Sequence, residues 1–380
     1  MKKFLAFLLI LTLCLTVFAG CGGDTEEPVT EDPGTEEGEA AEPLKIGFIY
    51  IGVKNDGGYT QAHADGAAAM AEYFGDAVEI IEVESVDDGD QQASYDAAVS
   101  LIDQGCKVIV GCSFGFMYAL DELANSGDYD DITFLHFSGN SMNETNFANY
   151  FGSIEEARYL CGMVAGAMTE SNQLGYVAAY PYTEVQIGIN AFTLGAQSVN
   201  PDVEVNVVYI NSWYDPEMER SAADELLAAG CDVITQHCDT TGPQIAAEEA
   251  GAYAIFYNSD NNVAPNAYLT AAIWNHEVYL IDQIQQIMDG TWAPTSYYGT
   301  MADGYVDLAP FTDLVPEDVV AQVEEVKAQM LAGEFAPFSG PIEYNDSYEG
   351  ADEDGILCEE GQTLTRAEIW SIDGLVQGAE

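Results

Sequence analysis

Short apolar runs recur along the chain, and turn residues and then a stretch of helical periodicity follow nearly every one. The first, Ile46 to Ile51, is almost continuously apolar and rich in aromatic and β-branched residues. That is the composition of a strand buried on both faces of a parallel sheet. Asn55-Asp56-Gly57-Gly58 breaks the run as turn residues do, and Ala62, Gly66, Ala69, Met70 and Tyr73 then repeat at helical spacing. A strand, a loop and a helix make half of a βαβ unit, and the loop lies at the carboxyl end of the strand, where open α/β sheets bind ligands. Tyr59, just past that loop, either presents a flat ring to a ligand or packs in the core.

The alternation continues in two series. In the first, strands are expected at Val78–Val83, Lys107–Gly111 and Ile132–Phe137, a helix at Gln91–Gln104, and a crossing at Ala148–Ile154. The loop after the third strand places Phe114 and Phe116 about Gly115, and at least one of the two rings is expected to fill the core. In the second series, strands are expected at Gln173–Ala178, Val203–Asn211, Asp232–Gln236 and Tyr253–Tyr257, with helices at Glu155–Met168, Ile187–Ser198, Glu217–Ala229 and Gln244–Ala250. Asp215 stands where an N-cap belongs. The strand-end loops of this series carry Glu184, Trp213, Asp239 and Asp260. Leu269–Asn275 reads as a crossing back, followed by a helix at His276–Met288, a strand at Tyr305–Leu308 and a helix at Glu317–Ala332. The pattern predicts an α/β protein of two doubly wound parallel-sheet lobes with a cleft between them. The expected lobes are residues 44–152 plus about 267–300, and 153–266 plus about 301–380. Three hinge crossings are expected near residues 151–154, 264–272 and 299–304. The candidate loops all face the same cleft, and their convergence says more than any one of them.

A leader precedes the first strand. Lys2 and Lys3 begin it, Phe4 to Phe18 form an apolar stretch too short for a comfortable membrane span, and small residues end it. It reads as a secretory signal, residues 1–20. Val17-Phe18-Ala19-Gly20-Cys21 resembles the bacterial lipobox, which implies cleavage before Cys21, acylation of its sulfur and a lipid anchor on the extracytoplasmic face of the membrane. Residues 21–43 are rich in Glu, Asp, Gly, Thr and Pro, lack Lys and Arg, and hold Val29 as their one large apolar side chain. Such a segment cannot bury enough surface to offset ordering, so a disordered tether is expected.

The chain carries 65 Asp and Glu against 9 Lys and Arg, a formal net charge of −56. That repels phosphate backbones and argues against nucleic-acid binding. The cysteines and the histidines His63, His136, His237 and His276 show no metal-ligand spacing. There is no nucleophile elbow, Walker loop or dinucleotide-binding glycine pattern, so a catalytic reading is weak.

Several stretches together resemble the basic membrane protein family of ABC-transporter substrate-binding lipoproteins, which includes purine nucleoside receptors. They are Ile46–Gly52, Asp56-Gly57-Gly58-Tyr59-Thr60-Gln61, Ser113–Phe116, Gly188–Phe192 with Gly195, Asn211–Pro216, Gly230–His237, Asp289–Trp292 and Gly340-Pro341-Ile342. The resemblance covers nearly everything after Pro43. It implies a type I periplasmic-binding fold, no catalysis, no cofactor or metal, and a monomer that delivers a small molecule to an ABC permease and its ATPase. By motif, Tyr59 and Trp213 match the aromatics that sandwich a nucleobase, and Asp260 matches the acid that hydrogen-bonds the ligand. Some nucleoside-binding relatives place a Lys where this chain has Trp274, and a smaller Phe where it has Trp213.

The chemistry agrees with a purine. Two rings stack on its faces, at about 1–3 kcal/mol per base. Asp260, Asp239 or Glu184 can accept from its ring or exocyclic N–H groups. Trp274 in the cleft would fill the space of a ribose and favour a free base such as adenine; alternatively it points away and Asn275 serves the ribose. A nucleoside-hydrolysing enzyme, a ligand-sensing signalling lipoprotein, and a receptor for a sugar or autoinducer are the competing readings.

Overall fold

The computed structural model describes residues 42–345 and 355–380. The leader, Cys21 and the tether up to residue 41 lie outside the described residues, and among those described no helix is long and apolar enough to cross a membrane.

The first lobe opens with β1 (Leu44–Ile49), α1 (Tyr59–Phe74), β2 (Val78–Val83), α2 (Gln91–Asp103), β3 (Val108–Gly111), α3 (Met117–Asn125), β4 (Thr133–Phe137) and β5 (Phe147–Gly152). The second contains α4 (Ile154–Met168), β6 (Gln173–Ala178), α5 (Thr183–Val199), β7 (Glu204–Tyr209), α6 (Pro216–Ala229), β8 (Val233–His237), α7 (Gly242–Ala250), β9 (Tyr253–Asn258) and β10 (Tyr268–Trp274). Then come α8 (His276–Met288), β11 (Ser296–Gly299), β12 (Val306–Leu308), α9 (Glu317–Leu331), β13 (Ile342–Glu343), β14 (Ile356–Cys358) and α10 (Arg366–Ile369).

Two six-stranded sheets result. Their orders are β11-β5-β4-β3-β1-β2 and β12-β10-β9-β8-β6-β7. The first is parallel throughout, and the second has one antiparallel neighbour, β12 against β10. The two lobes are therefore doubly wound, as in the type I periplasmic-binding fold. Local sequence explains the joints. Asp90 accepts from the amides of Gln92 and Ala93 at the start of α2. Asp215 does the same for Glu217 and Met218 ahead of Pro216 at the start of α6, and Gly230 ends that helix in the left-handed region at φ 106°. In the second lobe α4 and α5 pack so closely that a Cβ on Gly162 or Gly195 would overlap the backbone of the other helix.

Three differences from expectation matter. Helix α3 fills a stretch to which the sequence pattern assigns no element, with only its first residue, Met117, in the loop expected after the third strand. β11 is a short edge strand on β5 with no apolar run of its own. The largest correction concerns β10. It pairs in parallel with β9 in the second sheet, so residues 268–274 belong to the second lobe rather than the first. A strand this apolar, with six of its seven residues buried, is held between two neighbours and cannot serve as a solvent-crossed linker. The second crossing is therefore at Asn275, not within 264–272. The three crossings, at Ser153, Asn275 and residues 300–305, run side by side. Ser153 N–H donates to Gly299 (2.8 Å), Asn275 N–H to Tyr305 (2.9 Å), and the Asn275 amide to Gly304 (2.8 Å).

Candidate functional site

Loops at the carboxyl ends of both sheets meet across the cleft. Asp56 organises the first. Its carboxylate accepts from the amides of Gly58, Thr60 and Gln61 at 2.9–3.0 Å, which fixes the start of α1 and the position of Tyr59. The same loop touches the opposite lobe: Ser259 Oγ (3.2 Å) and Asn261 Nδ2 (2.7 Å) both donate to the Gly57 carbonyl. A Cβ on Gly58 would overlap the Asp239 carbonyl oxygen. The lobes are thus closed on each other at this point.

Beside that contact lies a small cavity of about 40 Å³. The first lobe contributes Ile51, Tyr59, Ser113, Phe114, Phe137 and Ser138; the second contributes Glu184, Trp213 and Asp239. Tyr59 leans on Phe137 (centroids 6.1 Å) and on His63 (4.8 Å). Trp213 is held by Tyr180 at 5.4 Å, and Tyr180 stacks on Tyr182 at 4.9 Å. Larger spaces open on either side. One of about 470 Å³ runs past Gly52, Asp88, Tyr180 and Tyr214, and one of about 600 Å³ lies between Phe114, Asn140, Phe151, Tyr298, Arg366 and Trp370.

The carboxylates in this cavity are electrostatically unusual. Burial lifts Glu184 to about 7, although it stands in the first turn of α5, where the helix dipole favours the ionised form. Its side chain keeps 24% of its exposure. The neighbouring ring of His237 is held neutral, well below its usual range, by burial and by the Arg158 charge. The 3.8 Å Glu184–His237 contact is therefore not an ion pair. Burial pushes Asp239 well above the usual carboxylate range, and Glu219 and Asp56 push it further. Glu219 lies beneath it, lifted to about 7 by burial while accepting from the amide and hydroxyl of Thr240. No Lys or Arg lines the cavity. Among the described residues no cluster of His, Cys, Asp and Glu could hold a metal ion.

Five of the nine expected ligand residues, Tyr59, Phe114, Glu184, Trp213 and Asp239, come together in this wall. Phe116 does not: it is fully buried in the first lobe's core among Ile49, Leu120 and Phe134. Asp260 also stays outside. It is exposed and accepts from the Tyr268 hydroxyl at 2.8 Å. Trp274 is buried behind the wall, against Phe137 (5.4 Å) and Phe151 (5.1 Å). Its indole N–H donates to Asn258 Oδ1 (3.2 Å), which turns the Asn258 amide toward Asp239 (3.4 Å). Asn275 is occupied in the hinge.

Phe137, Ser113 and Ser138 in the wall and Asn258 beside Asp239 are not among the expected ligand residues. A common backbone feature marks two of them. Ser85, Ser138, Asn211 and Asn258 all adopt positive φ (60°, 63°, 55° and 75°) at or just after β2, β4, β7 and β9, two in each lobe. Non-glycine residues held there cost about 1–3 kcal/mol each and cluster at ligand sites. Sequence gives only a faint signal, a Ser or Asn at a strand end.

A sequence model described as "ABC transporter substrate-binding protein PnrA-like" matches residues 44–335. A purine-binding protein of Brucella abortus is 38% identical over 312 residues, 82% of this chain and 87% of the relative. A Haloferax volcanii protein, provisionally named as an ABC transporter glucose-binding protein, is 33% identical over 342 residues, 89% of this chain and 82% of its own. Among solved structures, an ABC-transporter solute-binding protein of Aeropyrum pernix superposes with a TM-score of 0.66 at 18% identity, over 82% of this chain and 95% of that one. At that identity the likeness shows the fold alone.

Proposed function

The chain belongs to the PnrA-like family of ABC transporter substrate-binding proteins, and on that premise we propose that it captures a purine, a free base such as adenine in preference to its nucleoside, between Tyr59 and Trp213. Family membership implies a small-molecule ligand, permease and ATPase partners, and an extracytoplasmic place of work. We further propose that Cys21 carries the lipid anchor, that the receptor acts as a monomer, and that it releases its ligand unchanged.

One observation carries the ligand reading. A single small cavity has aromatic rings from both lobes, two buried carboxyl groups and no cationic side chain. Such a wall suits an uncharged flat heterocycle with N–H groups on its edge. Stacking supplies affinity, and a carboxylate that is costly to bury alone finds donors in the ligand. The purine-binding relative supports the same class. The preference for a base over a nucleoside rests on the small size of this cavity, not on Trp274, which lies behind Phe137 with its one donor spent on Asn258.

A sugar is the second reading, favoured by the name of the Haloferax relative and by the flanking spaces lined by aromatics, Asn and Asp. Competition titration with adenine, hypoxanthine, guanine, their nucleosides and glucose separates the readings. The base is expected to bind more tightly than its own nucleoside, and glucose not to compete. Tighter binding of any nucleoside than of its base would overturn the base preference, and displacement by glucose would overturn the purine reading.

A further inference from the structure

Beneath the cleft floor of the second lobe, four side chains from different elements meet without satisfying one another. Arg158 of α4 is fully buried. Its guanidinium lies 3.8 Å from the Tyr257 ring centroid and 5.6 Å from that of Tyr176. Nη1 donates to the Gln236 carbonyl at 2.8 Å, but Nε and Nη2 have no hydrogen-bond partner among the described residues. The Tyr176 hydroxyl and both ring nitrogens of His237 are also buried and unpartnered. His237 packs on Tyr257 with centroids 4.7 Å apart. Tyr176 and His237 converge at Gly188 of α5, where a Cβ would stand 3.1 Å from His237 Nδ1 and 3.2 Å from the Tyr176 oxygen. The absent side chain leaves that corner clear between them.

Nearly all of these orphaned groups are donors. Arg158 offers Nε–H and the Nη2 hydrogens, Tyr176 its O–H, and neutral His237 one N–H against one lone pair. Arg158 joins no ion pair among the described residues, and a fully buried lone charge is costly. A set of donors around an uncompensated cation requires an acceptor that carries negative charge. We propose that Arg158, Tyr176 and His237 bind one small monovalent anion of halide size inside the second lobe. The anion accepts from Arg158, from the Tyr176 hydroxyl and from His237 Nδ1. The other ring nitrogen, Nε2, faces Glu184, whose Oε1 is 3.8 Å away, so the site borders the ligand cavity without being part of it.

The probe is chloride, with bromide for crystallography. The full chain is melted at constant ionic strength while sodium chloride replaces sodium gluconate stepwise. The two salts screen the −56 net charge equally, so a chloride-specific rise must come from a site. Melting temperature is expected to rise with chloride and saturate. Tyr176→Phe keeps the ring and removes one donor, and is expected to weaken chloride binding about tenfold. Arg158→Met is expected to abolish the chloride dependence. Should that variant fail to fold, crystals grown in bromide give an independent answer: an anomalous peak is expected within about 3.5 Å of Arg158 Nη2 and the Tyr176 oxygen. Superimposable melting in chloride and gluconate, or a water with no anomalous signal at that position, would overturn the proposal.

Discussion

Trp213 and Glu184 hold the opposite kinds of chemistry in the cavity, one a stacking face and the other an acceptor whose charge depends on pH. Trp213 is only half-buried, braced by Tyr180 and Tyr182 on its own lobe and packed on one side against the core. Trp213→Ala is therefore expected to cost about 1–3 kcal/mol of ligand binding with little change in melting temperature. Calorimetry of wild type and variant checks this, and unchanged binding would remove Trp213 from the sandwich. Glu184 sets a pH window. Its folded value near 7 lies above the ordinary carboxylate value of 4.5, so its contribution to stability is fully present below about 4.5 and is lost as pH rises through about 7. Ligand binding runs the other way, because the ionised carboxylate accepts a ligand N–H more strongly than the neutral acid does. Adenine affinity is expected to rise with pH and level off above 7, weakening by up to about tenfold per pH unit below that. Glu219 titrates in the same window from beneath the wall. Glu184→Gln should therefore flatten the affinity profile while leaving part of the stability profile in place, and an unaltered affinity profile would exclude Glu184 from the contact.

At the scale of elements, the loop between β1 and α1 does the work of a latch. Asp56 draws three amides onto one carboxylate, and Gly57 then offers its carbonyl to Ser259 and Asn261 across the cleft. Gly57 holds φ 85°, and Gly58 has no room for a Cβ against Asp239. Gly58→Ala is expected to leave α1 and the first lobe intact but to prop the cleft open. Circular dichroism should be unchanged and ligand affinity reduced at least about tenfold, the loss of roughly one buried contact. Wild-type affinity in this variant would show that the latch does not gate the cavity.

For the whole molecule, three crossings joined by hydrogen bonds make a hinge along one edge. The described residues from 336 on, namely 336–345 and 355–380, add a second connection. The backbone of Gly378 and Glu380 pairs with Val205 and Val207 on the second lobe, while Trp370 donates to Tyr298 on the first (3.2 Å) and Arg366 covers the same ring. Small-angle scattering of the ligand-free chain is expected to show a more open particle, and addition of adenine a curve that matches the closed structure. Identical curves in the two states would count against a closing trap.

The local sequence was enough to determine the alternation of strands and helices, the two lobes and the loops that meet in the cleft. Each of these follows from short-range patterns: apolar runs, turn residues and caps such as Asp90 and Asp215. Tyr59, Glu184, Trp213 and Asp239 were legible because each stands in the loop that follows a strand or in the first turn of the helix after it. What the sequence could not give depends on contacts between distant segments. Phe116 and Phe114 share a loop, but one residue of spacing sends the first into the core and leaves the second 51% exposed at the cavity. Trp274 reads as a ligand contact until β10 is seen beside β9, where that pairing directs its N–H to Asn258. Asp260 has the right chemistry, but Tyr268 holds it outside. Arg158 looks like an ordinary helix residue and is recognisable as a buried, partly unpaired charge only when β6, β8 and β9 close over it. Which face a residue presents, and what lies opposite it, is decided by packing between segments far apart in the chain, and no local pattern encodes that.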